Sequence, residues 1–133
     1  MDSTVTLVGN LTQDPELKFL DGGTAVAKLN IAVNRKWNDK KGDRQEQVSF
    51  FTGDCFGTLA ENAANSLKKG DRVIVTGRME QRTWETPTGE KRSIVEVKID
   101  SLGAELRFVT ALLGRTEKPS RKPTPVDDSE TPF

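Results

Sequence analysis

Apolar residues recur at two different periods along this chain, and the change of period divides it into elements. Val5, Thr6, Leu7 and Val8 form a first apolar stretch ending at Gly9-Asn10, the mark of a strand closing in a turn. Strand character continues from Glu16 to Leu20, and Asp21-Gly22-Gly23 is a turn signal. From Ala25 to Asn34 the alternation is regular, with Leu29, Ile31 and Val33 on one face and Lys28, Asn30 and Asn34 on the other, so a half-buried strand is expected.

After the charged loop Asn38 to Asp43, another strand runs from Gln45 to Phe56. Parity places Phe51, Gly53 and Cys55 on one face and Phe50, Thr52, Asp54 and Phe56 on the other. The second set mixes rings with polar groups and is expected to face outward. Gly57 to Leu67 shifts to helical period, with Leu59, Ala60, Ala63, Ala64 and Leu67 on one side and Lys68-Lys69-Gly70 expected to cap it.

Period two returns from Asp71 to Trp84. Val73, Val75, Gly77 and Met79 share one side; Arg72, Ile74, Thr76, Arg78, Glu80, Arg82 and Trp84 share the other. Thr86-Pro87-Thr88-Gly89 reads as a hairpin turn and Lys91 to Ile99 as the returning strand. The order strand, strand, strand, helix, strand, strand is that of a five-stranded OB barrel: all-β with one short helix, and an open face suited to oligonucleotides or oligosaccharides.

The apolar pattern stops at Gly114. Residues 1–113 are therefore expected to form the barrel domain. Residues 114–126 make a proline- and charge-rich linker spanning about 20 Å as a coil, and 127–133 form an acidic tip ending in Pro-Phe. Linker and tip together read as a disordered C-terminal tail.

Composition narrows the function. The 133 residues contain 20 Lys+Arg and 20 Asp+Glu, so net charge is zero, which argues against a duplex binder driven by phosphate contacts. The chain has no His, which removes His-based triads and metal sites. The single cysteine, Cys55, lies in an apolar strand pattern and reads as a buried, inert thiol. Neither a signal segment nor a membrane-length apolar run is visible, so a cytoplasmic location without membrane contact is expected.

Rings supply the positive signal. Of eight aromatics, six Phe and two Trp, four lie beside polar or basic residues: Trp37, Phe50, Phe56 and Trp84. A flat ring on an exposed sheet suits stacking on an unpaired base, which tolerates any sequence because every base has a π-face. Trp84 is in phase with Arg78 and Arg82 and should face outward. Trp37 is in phase with Leu29, Ile31 and Val33, so periodicity alone leaves a buried ring open. Phe19, Phe51 and Phe108 are assigned to the core.

The stretches Leu7-Val8-Gly9-Asn10-Leu11, Asp14-Pro15-Glu16, Asn34 to Trp37, Phe56-Gly57 with Leu59-Ala60-Glu61, Lys69-Gly70, and Trp84 before Thr88-Gly89 share one order and spacing. In these the chain resembles bacterial single-stranded DNA-binding protein over residues 3 to about 113, and again at its last seven residues. The resemblance implies an OB fold, a homotetramer and DNA wrapped by stacking plus phosphate contacts. It also implies a nucleoid-associated role in DNA replication, recombination and repair.

Carried over by position, the resemblance assigns stacking to Trp37, Phe50, Phe56 and Trp84, and phosphate contacts to Arg35, Lys40, Lys69, Arg82 and Arg92. It assigns docking of replication, recombination and repair proteins to Asp127, Asp128, Glu130, Pro132 and Phe133. No metal or cofactor is implied.

The match also has departures. Thr4, Thr52, Thr58, Glu80 and Thr83 stand where relatives often carry Lys or Arg, and Thr131 where an apolar residue is usual. Fewer phosphate contacts imply weaker, less salt-dependent binding. With the short linker, they point toward a specialised paralogue. Two other classes remain on the sequence: an OB module that binds protein, and a nuclease built on outward carboxylates such as Asp54 and Glu80.

Overall fold

The computed structural model describes residues 3–115. The docking residues Asp127, Asp128, Glu130, Pro132 and Phe133, and most of the linker, lie outside the described residues.

Six strands and one helix follow in the order β1 (Thr4–Leu11), β2 (Glu16–Phe19), β3 (Ala25–Asn38), β4 (Arg44–Phe56), α1 (Thr58–Ser66), β5 (Arg72–Glu85) and β6 (Lys91–Ala104). The sheet order β1-β5-β6-β4-β3-β2, with β1 also paired to β3, closes five strands into a barrel. Strand β2 is a short addition to the outside of β3. The closing pairs are few: β4 meets β6 in parallel at Gly53–Val97 and Asp54–Lys98, and β1 meets β3 at Asn10–Ala32 and Leu11–Ile31.

Parity sorts the core as the alternation requires. Leu29, Ile31, Cys55, Val73, Val75 and Val97 are fully buried, and Ala60, Ala63 and Leu67 bring α1 over the barrel. Phe51 packs against this cluster as expected. Phe19 and Phe108 do not: they are 61% and 74% exposed. The first ends a four-residue strand that, among the described residues, pairs with β3 alone at the edge of the sheet. The second follows the last strand, where Arg72 Cζ stands 5.8 Å from its ring.

Two further expectations shift at element ends. Helix α1 stops at Leu67 in extended backbone, with Leu67 N–H donating to the Ala63 carbonyl. Gly70 lies beyond this end and instead donates its N–H to the Leu11 carbonyl at 2.8 Å. The helix begins at Gly57, whose φ of 70° is a left-handed conformation that favours glycine. Strands β3, β5 and β6 run past their apolar stretches, because periodicity marks burial while a hydrogen-bonded ladder continues without it. Met79 is exposed because it lies where β5 leaves the barrel.

Burial pushes the Cys55 thiol up to about 11; the neighbouring Asp54 charge adds to this and a backbone hydrogen bond with Ala27 opposes it. The thiolate is the nucleophile, so iodoacetamide at pH 8 should label Cys55 only as the protein unfolds. Rapid stoichiometric labelling of the native protein would contradict this placement.

Candidate nucleic-acid interface

Two hairpin arms extend from the barrel, one carrying Arg35, Trp37 and Lys40 and the other Arg82, Trp84 and Arg92, while Phe50, Phe56 and Lys69 lie outside the arms. One is the outer half of β3–β4, paired from Asn34–Val48 to Asn38–Arg44. Its tip is folded by Asp39, whose Oδ1 accepts the N–H of Lys41 and of Asp43, both at 2.9 Å. That turn leaves Lys40 exposed to solvent. The other arm is the outer half of β5–β6, closed by a turn in which Thr86 N–H donates to Glu90 O at 2.8 Å and Gly89 N–H to Thr86 O at 2.9 Å.

All four predicted stacking rings are exposed: Trp37 by 39%, Trp84 by 42%, Phe56 by 46% and Phe50 by 73%. They do not share one face. Phe50 and Phe56 stand with Thr52 and Asp54 on the outward side of β4, while Trp37 is on the opposite side, in phase with Leu29 and Ile31. The apolar phase therefore continues to Trp37, but the barrel does not, which is why the ring is open to solvent.

Three of these rings carry a cation. Arg35 Cζ lies 5.2 Å from the Trp37 centroid, Arg82 Cζ 5.0 Å from Trp84 and Lys98 Nζ 5.8 Å from Phe56. Such contacts contribute about 0.5–1 kcal/mol at exposed sites. They also place positive charge over three of the four candidate stacking rings, Phe50 having no such contact among the described residues.

Between Trp84 and Phe56 runs a chain of ionic contacts along one outward face. Arg82 Nε donates to Glu96 Oε1 at 2.9 Å, and Lys98 Nζ donates to Asp54 Oδ2 at 3.3 Å. The Asp54 carboxyl is close enough to Glu96 to act on its titration. Glu96 is the buried charged residue of the described chain, 7% exposed. Its carboxyl is held below the ordinary Glu range by the Arg82 hydrogen bond first, against the cost of burial, and then by the Arg82 charge, Asp54 and Lys98. An open groove of about 510 Å³ lies over this chain, lined by Glu80, Gln81, Arg82, Thr83, Glu96 and Lys98.

Lys98 and Glu96 belong to this face but are not among the residues expected from the sequence. Their signal was available: both are in phase with Arg92 on β6, and cross-strand pairing sets Arg92 opposite Trp84. Of the predicted basic set, Arg92 pairs with Glu90 at 2.8 Å, and the Lys69 N–H is anchored by Asp14 Oδ1 at 2.8 Å. Among the described residues, no carboxylate lies within ion-pair distance of Arg35, Lys40 or Lys69.

The model of the "Single-strand binding protein family" matches residues 2–105. The chain belongs to that family. Among its relatives, the single-stranded DNA-binding protein of Mycolicibacterium smegmatis is 43% identical over 119 residues, covering 88% of this chain and 72% of that protein. That of Paenarthrobacter aurescens is 40% identical, with 88% and 70% covered. A solved structure of Plasmodium falciparum SSB in complex with ssDNA superposes with a TM-score of 0.72 at 24% identity, over 77% of this chain and 94% of that one. The last of these supports the barrel fold of this family member.

Proposed function

We propose that this protein is a non-catalytic, sequence-independent binder of single-stranded DNA that coats and protects unpaired strands. The observation that carries this reading is the outward face on which Trp84 and Phe56, both exposed and both with a cation over the ring, stand at the two ends of the Arg82–Glu96 and Lys98–Asp54 pairs. In the proposal, bases stack on Trp37, Phe50, Phe56 and Trp84. Phosphates follow Arg35, Lys40, Lys69 and Arg92, with Arg82 beside the track. Because Trp37 and Phe50 lie on opposite sides of the β3–β4 hairpin, a strand that meets both passes around the hairpin, which favours wrapping over a straight groove.

The same reading takes the protein as a homotetramer acting on nucleoid DNA in the cytoplasm, in replication, recombination and repair. Residues 127–133 recruit partner proteins: acidic side chains steer the approach, and the terminal ring enters an apolar pocket. Among the described residues no helix is long and apolar enough to cross a membrane.

Titration of the protein's tryptophan fluorescence with a long oligo-dT, at low and high salt, tests the reading. The expected result is strong quenching that saturates at tens of nucleotides per tetramer and survives high salt in part, because stacking is insensitive to counterions. Absence of quenching at low salt would favour a protein-binding OB module instead.

A further inference from the structure

Arg82 has two possible tasks in a complex with DNA. It can leave Glu96 for a phosphate, or stay and complete the surface of Trp84. The geometry points to the second: Glu96 is a positioning residue that holds Arg82 on the Trp84 ring, so that Arg82 belongs to the stacking platform and not to the phosphate track.

This inference rests on the single-stranded DNA reading above. It is carried by three observations. Arg82 gives its Nε to Glu96 at 2.9 Å while its Cζ stands 5.0 Å from the indole centroid, so one side-chain conformation satisfies both contacts. The two partners differ in exposure: the Arg82 side chain is 65% exposed, the Glu96 side chain 9%. Moving Arg82 to a phosphate would leave a nearly buried carboxylate facing its neighbour Asp54, with Lys98 as the remaining cation and already engaged with Asp54. Glu96 would lose its charge-assisted hydrogen bond while its side chain stays largely out of solvent, and the exposed Arg82 would gain only a solvent-screened contact in return.

The third observation is charge balance. Arg82, Glu96, Asp54 and Lys98 form a chain of two cations and two anions with no net charge between Trp84 and Phe56. A neutral stretch of the face has no counterions to release. Salt dependence then comes from Arg35, Lys40, Lys69 and Arg92, and this segment contributes ring area with the Arg82 guanidinium carbon 5.0 Å from the Trp84 centroid.

The salt slope of oligo-dT binding, measured by tryptophan quenching in wild type, Glu96→Gln and the double variant Glu96→Gln/Arg82→Gln, separates the two tasks. Glu96→Gln keeps the shape and removes the anion, so Arg82 becomes an uncompensated cation. The slope of log affinity against log salt should steepen by about 0.7, the value for one added phosphate contact on a single strand. Between 50 and 200 mM salt that is about 2.5-fold more affinity lost than in wild type. The double variant should return to the wild-type slope, because a neutral pair has been replaced by a neutral pair.

The opposite pattern, no change in Glu96→Gln and a slope flatter by about 0.7 in the double variant, would overturn the inference by showing Arg82 already on a phosphate in the wild type. Circular dichroism of each variant confirms that the fold is kept. A wild-type protein that does not quench would overturn the underlying DNA-binding reading, a result distinguishable from either pattern.

Discussion

Trp84→Ala is expected to weaken oligo-dT binding by roughly 10- to 100-fold while leaving the melting temperature nearly unchanged. The binding loss follows from stacking, which contributes about 1–3 kcal/mol per base, at about 1.4 kcal/mol per tenfold change. The stability side follows from position. Trp84 is on the β5–β6 arm, opposite Arg92 and one residue from the arm's end at Glu85, and it is not among the residues packed on the barrel core. Its replacement removes a ring and a cation–π partner, not a core side chain.

Trp84→Phe keeps a flat face and should recover most of the lost affinity, with remaining quenching reported by Trp37. Equal affinity for Trp84→Ala and wild type would take Trp84 out of the interface. A large fall in melting temperature would make the ring structural. The two results lead to different revisions, so binding and melting are measured on the same preparations.

How much of this arrangement was visible in the chain depends on the distance over which each contact acts. The inward and outward sides of β3 and β4 were legible because alternation is local: Leu29 and Ile31, or Thr52 and Asp54, sort by parity without knowledge of any partner. Helix α1 was legible for the same reason. Phe19 and Phe108 were misassigned because aromatic character shows that a side chain would gain from burial, not that anything packs over it.

The ionic chain was the hardest to read. Arg82 and Glu96 are 14 residues apart, and Asp54 and Lys98 are 44 apart. The second pair meets through a parallel contact between β4 and β6, and its register cannot be derived from the period of either strand. Trp37 illustrates the remaining gap. Its phase was inward and remains so, but phase does not say where the barrel ends and the free arm begins.

On the β5–β6 side that boundary coincides with a close approach of two backbones, and a methyl added there, as at the similarly crowded Gly9, should cost substantial stability. At Thr76/Gly77 the register slips: Thr76 pairs with Ser101 and Gly77 with Ile99, so Asp100 is extra on β6. The bulge brings the backbones so near that a Cβ on Gly77 would lie 2.2 Å from the Lys98 carbonyl oxygen and 3.0 Å from the Ile99 Cα. Both are main-chain atoms, which have no rotamer to escape into.

Gly77→Ala should therefore destabilise the protein by about 2–3 kcal/mol, lowering the melting temperature by roughly 10 °C or more. Gly103→Ala is the matched control in β6: its Cβ meets nothing within 4 Å, and its restricted unfolded chain should leave stability unchanged or slightly raised. Equal melting temperatures for the two variants would refute the close approach. A second consequence links this packing to the interface. The carbonyl displaced by Gly77→Ala belongs to Lys98, whose side chain spans Asp54 and the Phe56 ring. At a temperature where Gly77→Ala is still fully folded, oligo-dT binding should weaken as well, because the shift in β6 carries Lys98 away from the outward face that it helps to build.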